Sequence, residues 1–243
     1  MDASSELFRI VSELGRGIAV APAKFVPEGV QHRRNIFMGD SHNGLPRHAP
    51  ATLRNREPIL EVLTRVLPNA GMLLEVASGT GEHAAFIAPR LPGRLYWQPS
   101  EASIDSIADI NAHTDGDENS RIHPAILLNA SDTEWPIRSA DAVFCCNMIH
   151  IAPWNAAERL FAGSSRILAD AAPMILYGPF KRQGRHTAPS NQSFDDDLRA
   201  RNPCWGVRCL ETEVVPLAEK SGFALDEIVA MPANNLTVIF RRV

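Results

Sequence analysis

Residues 73–86 read LLEVASGTGEHAAF. Leu73, Leu74 and Val76 belong to an apolar strand, Gly79 and Gly81 to a turn, and Ala84 and Ala85 to a helix of small residues. A strand that runs through a glycine turn into a helix is the ligand-binding corner of an open α/β sheet, where ligands sit beyond the carboxyl ends of the strands. GTGEHA also fits the spacing GxGxxA, in which the glycines permit a tight turn and close approach, and the final small residue lets helix pack on strand. That spacing fits NAD and S-adenosylmethionine equally, because both carry an adenosine.

The sequence around this corner alternates strand and helix. Before it, residues 53–68 place Ile59, Leu60, Leu63, Val66 and Leu67 at helical spacing, with Pro68 as a stop. After it come a helix over 81–91, a second strand over 94–101, a helix over 103–114, a third strand over 122–131 and a fourth over 140–149. A helix over 154–168, a fifth strand over 172–180 and a helix over 211–223 follow. Strands joined by helices predict a mainly parallel, doubly wound sheet. The rhythm breaks at the end, where 224–232 and 236–243 are β-rich runs joined by a short Asn-containing turn. The prediction is a seven-stranded Rossmann-like α/β sheet whose last strand is antiparallel.

The chain has 243 residues, enough for one such domain, expected over 46–243, and an N-terminal extension over 1–45. Met38 is a second candidate start. Hydrophobic residues make up 45% and charged residues 21%, with a net charge of −4. This is the balance of a globular protein without a basic surface for nucleic acid. Cys145, Cys146, Cys204 and Cys209 lack metal-ligand spacing and read as reduced thiols. No run is long and apolar enough for a bilayer span, and acidic residues interrupt any leader-like start, so a cytoplasmic location is expected.

Glu101 follows the second strand, where a carboxylate can accept both hydroxyls of an adenosine ribose. Three features favour the methyl donor over NAD. Glu75 stands just before the turn, where it can order the loop amides or meet an ammonium group, and would repel a pyrophosphate. No Lys or Arg clusters near the turn. The terminal hairpin is usual for class I methyltransferases and unusual for nicotinamide enzymes. An NAD-dependent oxidoreductase and a non-catalytic binding module are the alternatives.

Eight blocks in order, RNREPIL, LEVASGTGEHAAF, WQPSE, NMIHIAPW, YGPF, SNQSFD, NPCWGVR and MPANN, resemble the methyltransferase-like protein 26 family. The resemblance spans about residues 50 to 243. It implies a class I fold and S-adenosylmethionine as cofactor, and it points to Glu75, Gly79, Gly81 and Glu101 as cofactor-binding positions. Ala77 stands where the general pattern has a first glycine. Asn129, followed by Ala130, stands where an aspartate commonly meets the adenine amino group, and its side-chain oxygen can still accept that hydrogen bond.

Methyl transfer from a sulfonium is an in-line displacement, so alignment matters more than a base. Candidates come from the ends of the fourth and fifth strands. Asn147 is a candidate for contact with cofactor or acceptor, His150 for a base near neutral pH, and Tyr177 for shaping the acceptor pocket with Phe180. Arg54 or Arg56 is placed to pair with the methionine carboxylate. His83 and Trp154 read as packing residues. Lys181, Arg182 and Arg185 form a basic loop, and residues 190–206 a candidate lid with Ser193 as a helix cap ahead of Asp195, Asp196 and Asp197. One acidic helix turn does not make a metal site, so no metal is expected. The acceptor is a small molecule or a protein, and its identity and the oligomeric state stay open.

Overall fold

The computed structural model describes residues 50–114 and 121–243. The expected extension over 1–45, Met38 included, lies outside these residues. In chain order the main elements are α1 Pro50–Val66, β1 Ala70–Val76, α2 Glu82–Ile87, β2 Arg94–Glu101, α3 Ile104–Thr114, β3 Ile126–Leu127 and β4 Ala142–Cys146. They continue with α4 Trp154–Ile167, β5 Pro173–Gly178, α5 Pro189–Arg201, α6 Val215–Lys220, β6 Phe223–Met231 and β7 Asn235–Arg242.

The seven strands form one sheet in the order β3-β2-β1-β4-β5-β7-β6. Pairs among β1 to β5 are parallel, and β7 runs antiparallel to both β5 and β6. Strand alternation sends neighbouring residues to opposite faces. Leu73, Phe144, Ile175 and Ile239 meet Ile59, Leu63, Ala84 and Ile87 from α1 and α2. Leu74, Val143, Leu176 and Val238 meet Leu160 and Phe161 of α4 and Ala218 of α6 on the other face. Each large aliphatic side chain taken out of water contributes about 1.5–3 kcal/mol.

Three expectations need correction, and proline figures in each. The third strand, expected over 122–131, is reduced to Ile126–Leu127, paired with Ser100 and Glu101. Pro124 has no N–H to give, its carbonyl is taken by the Gln98 amide at 2.8 Å, and the Ala125 N–H goes to Asn111 at 2.9 Å. The helix expected over 211–223 opens as a π turn, Leu210–Val214, before α6 begins. The Cys209 carbonyl accepts from both Glu213 and Val214 N–H, and Pro216 in the first turn of α6 needs no partner. Ser193 is not a cap, because the helix begins at Pro189, leaving Asp195 to Asp197 in its interior.

Candidate active site

The carboxyl end of β1 carries Glu75, 1% exposed. Its Oε2 accepts from Trp97 Nε1–H at 2.9 Å, while its buried Oε1 has no partner. Burial raises its pKa to about 7, against the hydrogen bonds from Trp97 and Ser78. The Glu75 carbonyl accepts from the Ser100 hydroxyl at 2.7 Å, tying β1 to β2. The chain then turns through Ala77 (φ 60), Gly79 (φ 62) and Gly81 (φ 81), all left-handed. Gly81 is needed for space as well, since a Cβ there would lie 3.0 Å from Ile110 Cγ2. A Cβ on Gly79 would meet no atom within 4 Å.

Glu101 closes the turn from the side of β2. Its Oε2 accepts from Gly79 N–H at 3.0 Å and its Oε1 from Ala102 N–H at 2.8 Å. Burial raises its pKa against these two bonds. A carboxylate has about four acceptor positions, so the bracing leaves capacity for a ligand's hydroxyls. Leu127, paired with Glu101, leads to Asn129, whose Oδ1 accepts from Ser131 N–H at 2.9 Å. Ala130 beside it is buried. On α2, His83 is buried, its Nε2 lies 3.0 Å from Asn55 Oδ1 of α1, and burial lowers its pKa to about 4.

The ends of β4 and β5 are built from a different set of groups. Asn147 adopts φ 61 after β4, which asparagine tolerates better than most residues, and its N–H bonds the Tyr177 carbonyl at 2.8 Å. His150 follows in a short 3₁₀ turn and is 0% exposed. The Arg208 N–H donates to its Nδ1 at 3.2 Å, so the ring hydrogen is on Nε2. Burial, with Arg208 next in effect, lowers the pKa to about 3. His150 Nε2 has no partner and faces Gly178, where a Cβ would stand 2.5 Å from it and 3.3 Å from Asn147 Oδ1. Gly178 is therefore a glycine for space. Tyr177 is 3% exposed, and burial pushes its phenol up to about 12 despite hydrogen bonds to Asn55 and Asn235 and the nearby charge of exposed Arg54.

Residues 46–242 match the family described as "Protein of unknown function (DUF938)". The chain belongs to the DUF938 family. Its fold is that of the class I methyltransferases, as solved structures show. An O-methyltransferase family protein from Burkholderia thailandensis superposes with TM-score 0.64 at 17% identity, covering 79% of this chain and 57% of that one. Human N-acetylserotonin methyltransferase, solved with S-adenosylmethionine, gives 0.63 at 15%, covering 79% and 52%. The calicheamicin-biosynthesis methyltransferase CalO1, solved with S-adenosylhomocysteine, gives 0.62 at 16%, covering 77% and 54%. The DUF938 chain thus spans a little over half the length of these proteins.

In the DUF938 chain the fold brings Glu75, Ala77, Gly79, Gly81 and Glu101 to one corner and Asn147, His150, Tyr177 and Arg54 to the adjoining strand ends. The basic loop is largely spoken for internally. Lys181 pairs with Asp195 at 2.7 Å, and Arg182 pairs with Glu211. Asp195 also meets Arg199 at 3.1 Å and the Val207 N–H at 2.8 Å, so the segment read as a lid is fastened down. Arg208 adds bonds from its guanidinium to the carbonyls of Ile149, Ala152 and Cys204. Among the described residues, no three His, Cys, Asp or Glu side chains are grouped to hold a metal ion, and no helix is long and apolar enough to cross a membrane.

Sequence reasoning assigned no role to Asn55, Trp97, Arg208 or Asn235. Each lies in or beside a block quoted above, but only the folded chain sets Asn55 beside His83 and Arg208 beside His150. Gly178 lies in the YGPF block, and its tight contact with His150 had no sequence signal.

Proposed function

We propose that this DUF938 chain, through its domain over 46–243, is a cytoplasmic S-adenosylmethionine-dependent methyltransferase of the methyltransferase-like protein 26 kind. The observation that carries the reading is the unpaired, buried Oε1 of Glu75 below the glycine turn. A buried acceptor without a partner costs about 1–3 kcal/mol, and the ammonium group of the cofactor's methionine moiety relieves that cost. A pyrophosphate at the same place would be repelled.

Glu101 accepts the ribose hydroxyls while holding Gly79 through its amide. Asn129 and Ala130 border the adenine, with the Asn129 side chain already oriented by Ser131. Arg54 pairs with the methionine carboxylate. When bound, the cofactor supplies an electrophilic methyl group on a sulfonium. Asn147, His150 and Tyr177 border the acceptor at the adjoining strand ends. His150 contributes as a neutral Nε2–H donor, since its other nitrogen is engaged by Arg208. An acceptor atom that carries no hydrogen, or that arrives already deprotonated, releases no proton on methylation, so for such an acceptor alignment suffices.

Thermal unfolding with S-adenosylmethionine, S-adenosylhomocysteine and NAD added separately tests this. A ligand that binds the native state raises the midpoint by mass action. Both sulfur cofactors should protect and NAD should not. Protection by NAD alone would establish the oxidoreductase instead, and no protection by either sulfur cofactor at about 1 mM would leave a binding module.

A further inference from the structure

The turn after β4 is held from behind by residues 204–208. The Arg208 guanidinium donates to the carbonyls of Ile149, Ala152 and Cys204 at 3.0, 2.9 and 2.8 Å, and the Gly206 N–H donates to the His150 carbonyl at 2.9 Å. The Phe180 ring meets the His150 ring edge-on, with centroids 4.9 Å apart. His150 has no exposed surface with which to touch a ligand. Its neighbour on the open side is Asn147. The place a Cβ on Gly178 would take lies 2.5 Å from His150 Nε2 and 3.3 Å from Asn147 Oδ1.

The polarity of the Asn147 carboxamide follows from this arrangement. A backbone N–H can only donate, so the bond from Arg208 N–H to Nδ1 puts the His150 ring hydrogen on Nε2. That hydrogen has no acceptor of its own. A carboxamide NH₂ turned toward it would set donor against donor, whereas the carboxamide oxygen suits it. The other end of the group agrees, since Asn147 Nδ2 donates to Cys146 Sγ at 3.5 Å. An NH₂ has two hydrogens, and the second has no partner among the described residues. Asn147 is partly exposed, so this hydrogen can meet a ligand.

We infer that Asn147 donates this hydrogen to the methylated atom of the acceptor, that His150 is the residue that positions it, and that the atom is a hydroxyl oxygen. The inference rests on the methyltransferase reading. An atom that attacks the methyl carbon spends one lone pair on the new bond. A hydroxyl oxygen keeps a second pair for Asn147, an amine nitrogen keeps none, and sulfur accepts hydrogen bonds weakly. In the step the oxygen–carbon bond forms, the carbon–sulfur electron pair stays on sulfur, and the hydroxyl hydrogen passes to water. Neither nitrogen of His150 takes it, one being protonated and the other engaged by Arg208. The fitting acceptor carries an acidic, phenol-like hydroxyl, which gives its hydrogen to water more readily than an aliphatic alcohol does.

The full chain is incubated with methyl-labelled S-adenosylmethionine and a heat-treated cell extract split into small-molecule and protein fractions. NMR of the labelled carbon reads the atom methylated, and calorimetry reads S-adenosylhomocysteine affinity. An oxygen-bound methyl group is expected, and the fraction that carries it tells a small molecule from a tyrosine side chain. Asn147→Asp replaces the donor by an acceptor and should lose about tenfold or more in incorporation. His150→Leu should lose as much, while His150→Gln, which restores an N–H at similar reach, should recover to within about threefold of wild type. Cofactor affinity should stay within about twofold throughout. Methyl on nitrogen, sulfur or carbon overturns the inference, as does wild-type incorporation by Asn147→Asp. Equal incorporation by the two His150 variants also overturns it, because a merely structural histidine gives no such rescue. Where a His150 variant fails to bind cofactor, Asn147→Asp and the methylated atom decide. Wild-type protein that binds S-adenosylhomocysteine yet labels neither fraction overturns the hydroxyl class. Absence of S-adenosylhomocysteine binding by the wild type instead removes the methyltransferase reading itself.

Discussion

The corner after β1 and the ends of β4 and β5 adjoin each other, yet they handle charge in opposite ways. At the corner, Glu75 and Glu101 are carboxylates that burial makes more basic, and Glu75 has a free oxygen. At the strand ends, His150 is held neutral with its pKa lowered to about 3, and Tyr177 stays a phenol. One region is short of a cation; the other is furnished with neutral donors already aimed by neighbours. The difference supports the proposal that the corner binds a charged group and the strand ends align an uncharged one.

The largest test of this contrast is pH dependence. Glu75 has an ordinary pKa of 4.5 and a folded value of about 7, so the native state holds a proton that the unfolded chain has shed. Stability from this group falls as pH rises through that window. His83 and His150, with an ordinary value of 6.5 and folded values of about 4 and about 3, act in the other direction. The unfolded chain protonates first, so their contribution is complete above pH 6.5 and is lost as pH falls below it. Glu75→Gln should gain on wild type by about 3 kcal/mol between pH ~4.5 and ~8 in urea unfolding. A difference that does not change with pH would erase the contrast.

Next in size, Glu101→Ala should weaken S-adenosylhomocysteine binding by about 100-fold, through loss of two charge-assisted hydrogen bonds. Calorimetry decides it, and unchanged affinity would place the ribose away from the corner. Gly178→Ala tests the other region. A Cβ 2.5 Å from His150 Nε2 forces the ring to move, which should cost about 1–3 kcal/mol of stability while cofactor affinity stays within about twofold. Wild-type stability in that variant would falsify the spatial role of Gly178. The smallest effect is expected at Ala77, whose φ of 60 suits glycine better. Ala77→Gly should stabilise the protein by about 0.5–1 kcal/mol, read as a rise in unfolding midpoint.

The legible parts of the molecule were those written in local pattern. GTGEHA, the alternation around it and the β-rich ends at 224–243 were enough for the sheet, its reversed last strand and the corner that holds Glu75 and Glu101. β3 and the helix after residue 210 were misjudged, because a missing proline N–H is a single-residue event inside a favourable pattern. Ser193 was misjudged as a cap because Pro189, four residues earlier, was the stronger start.

The sequence by itself determined fold class and the place of the glycine turn, since periodicity and backbone freedom are properties of neighbouring residues. Only the tertiary structure decided that Asn55 bonds His83, that Gly178 is small for the sake of His150, and that Glu75 is left with an unpaired oxygen. These facts depend on contacts between residues far apart in the chain, such as Arg208 and His150, 58 positions apart, and on the loss of water around them. Burial moves the pKa of Glu75 up and that of His150 down, and no stretch of sequence states how deeply a side chain will lie.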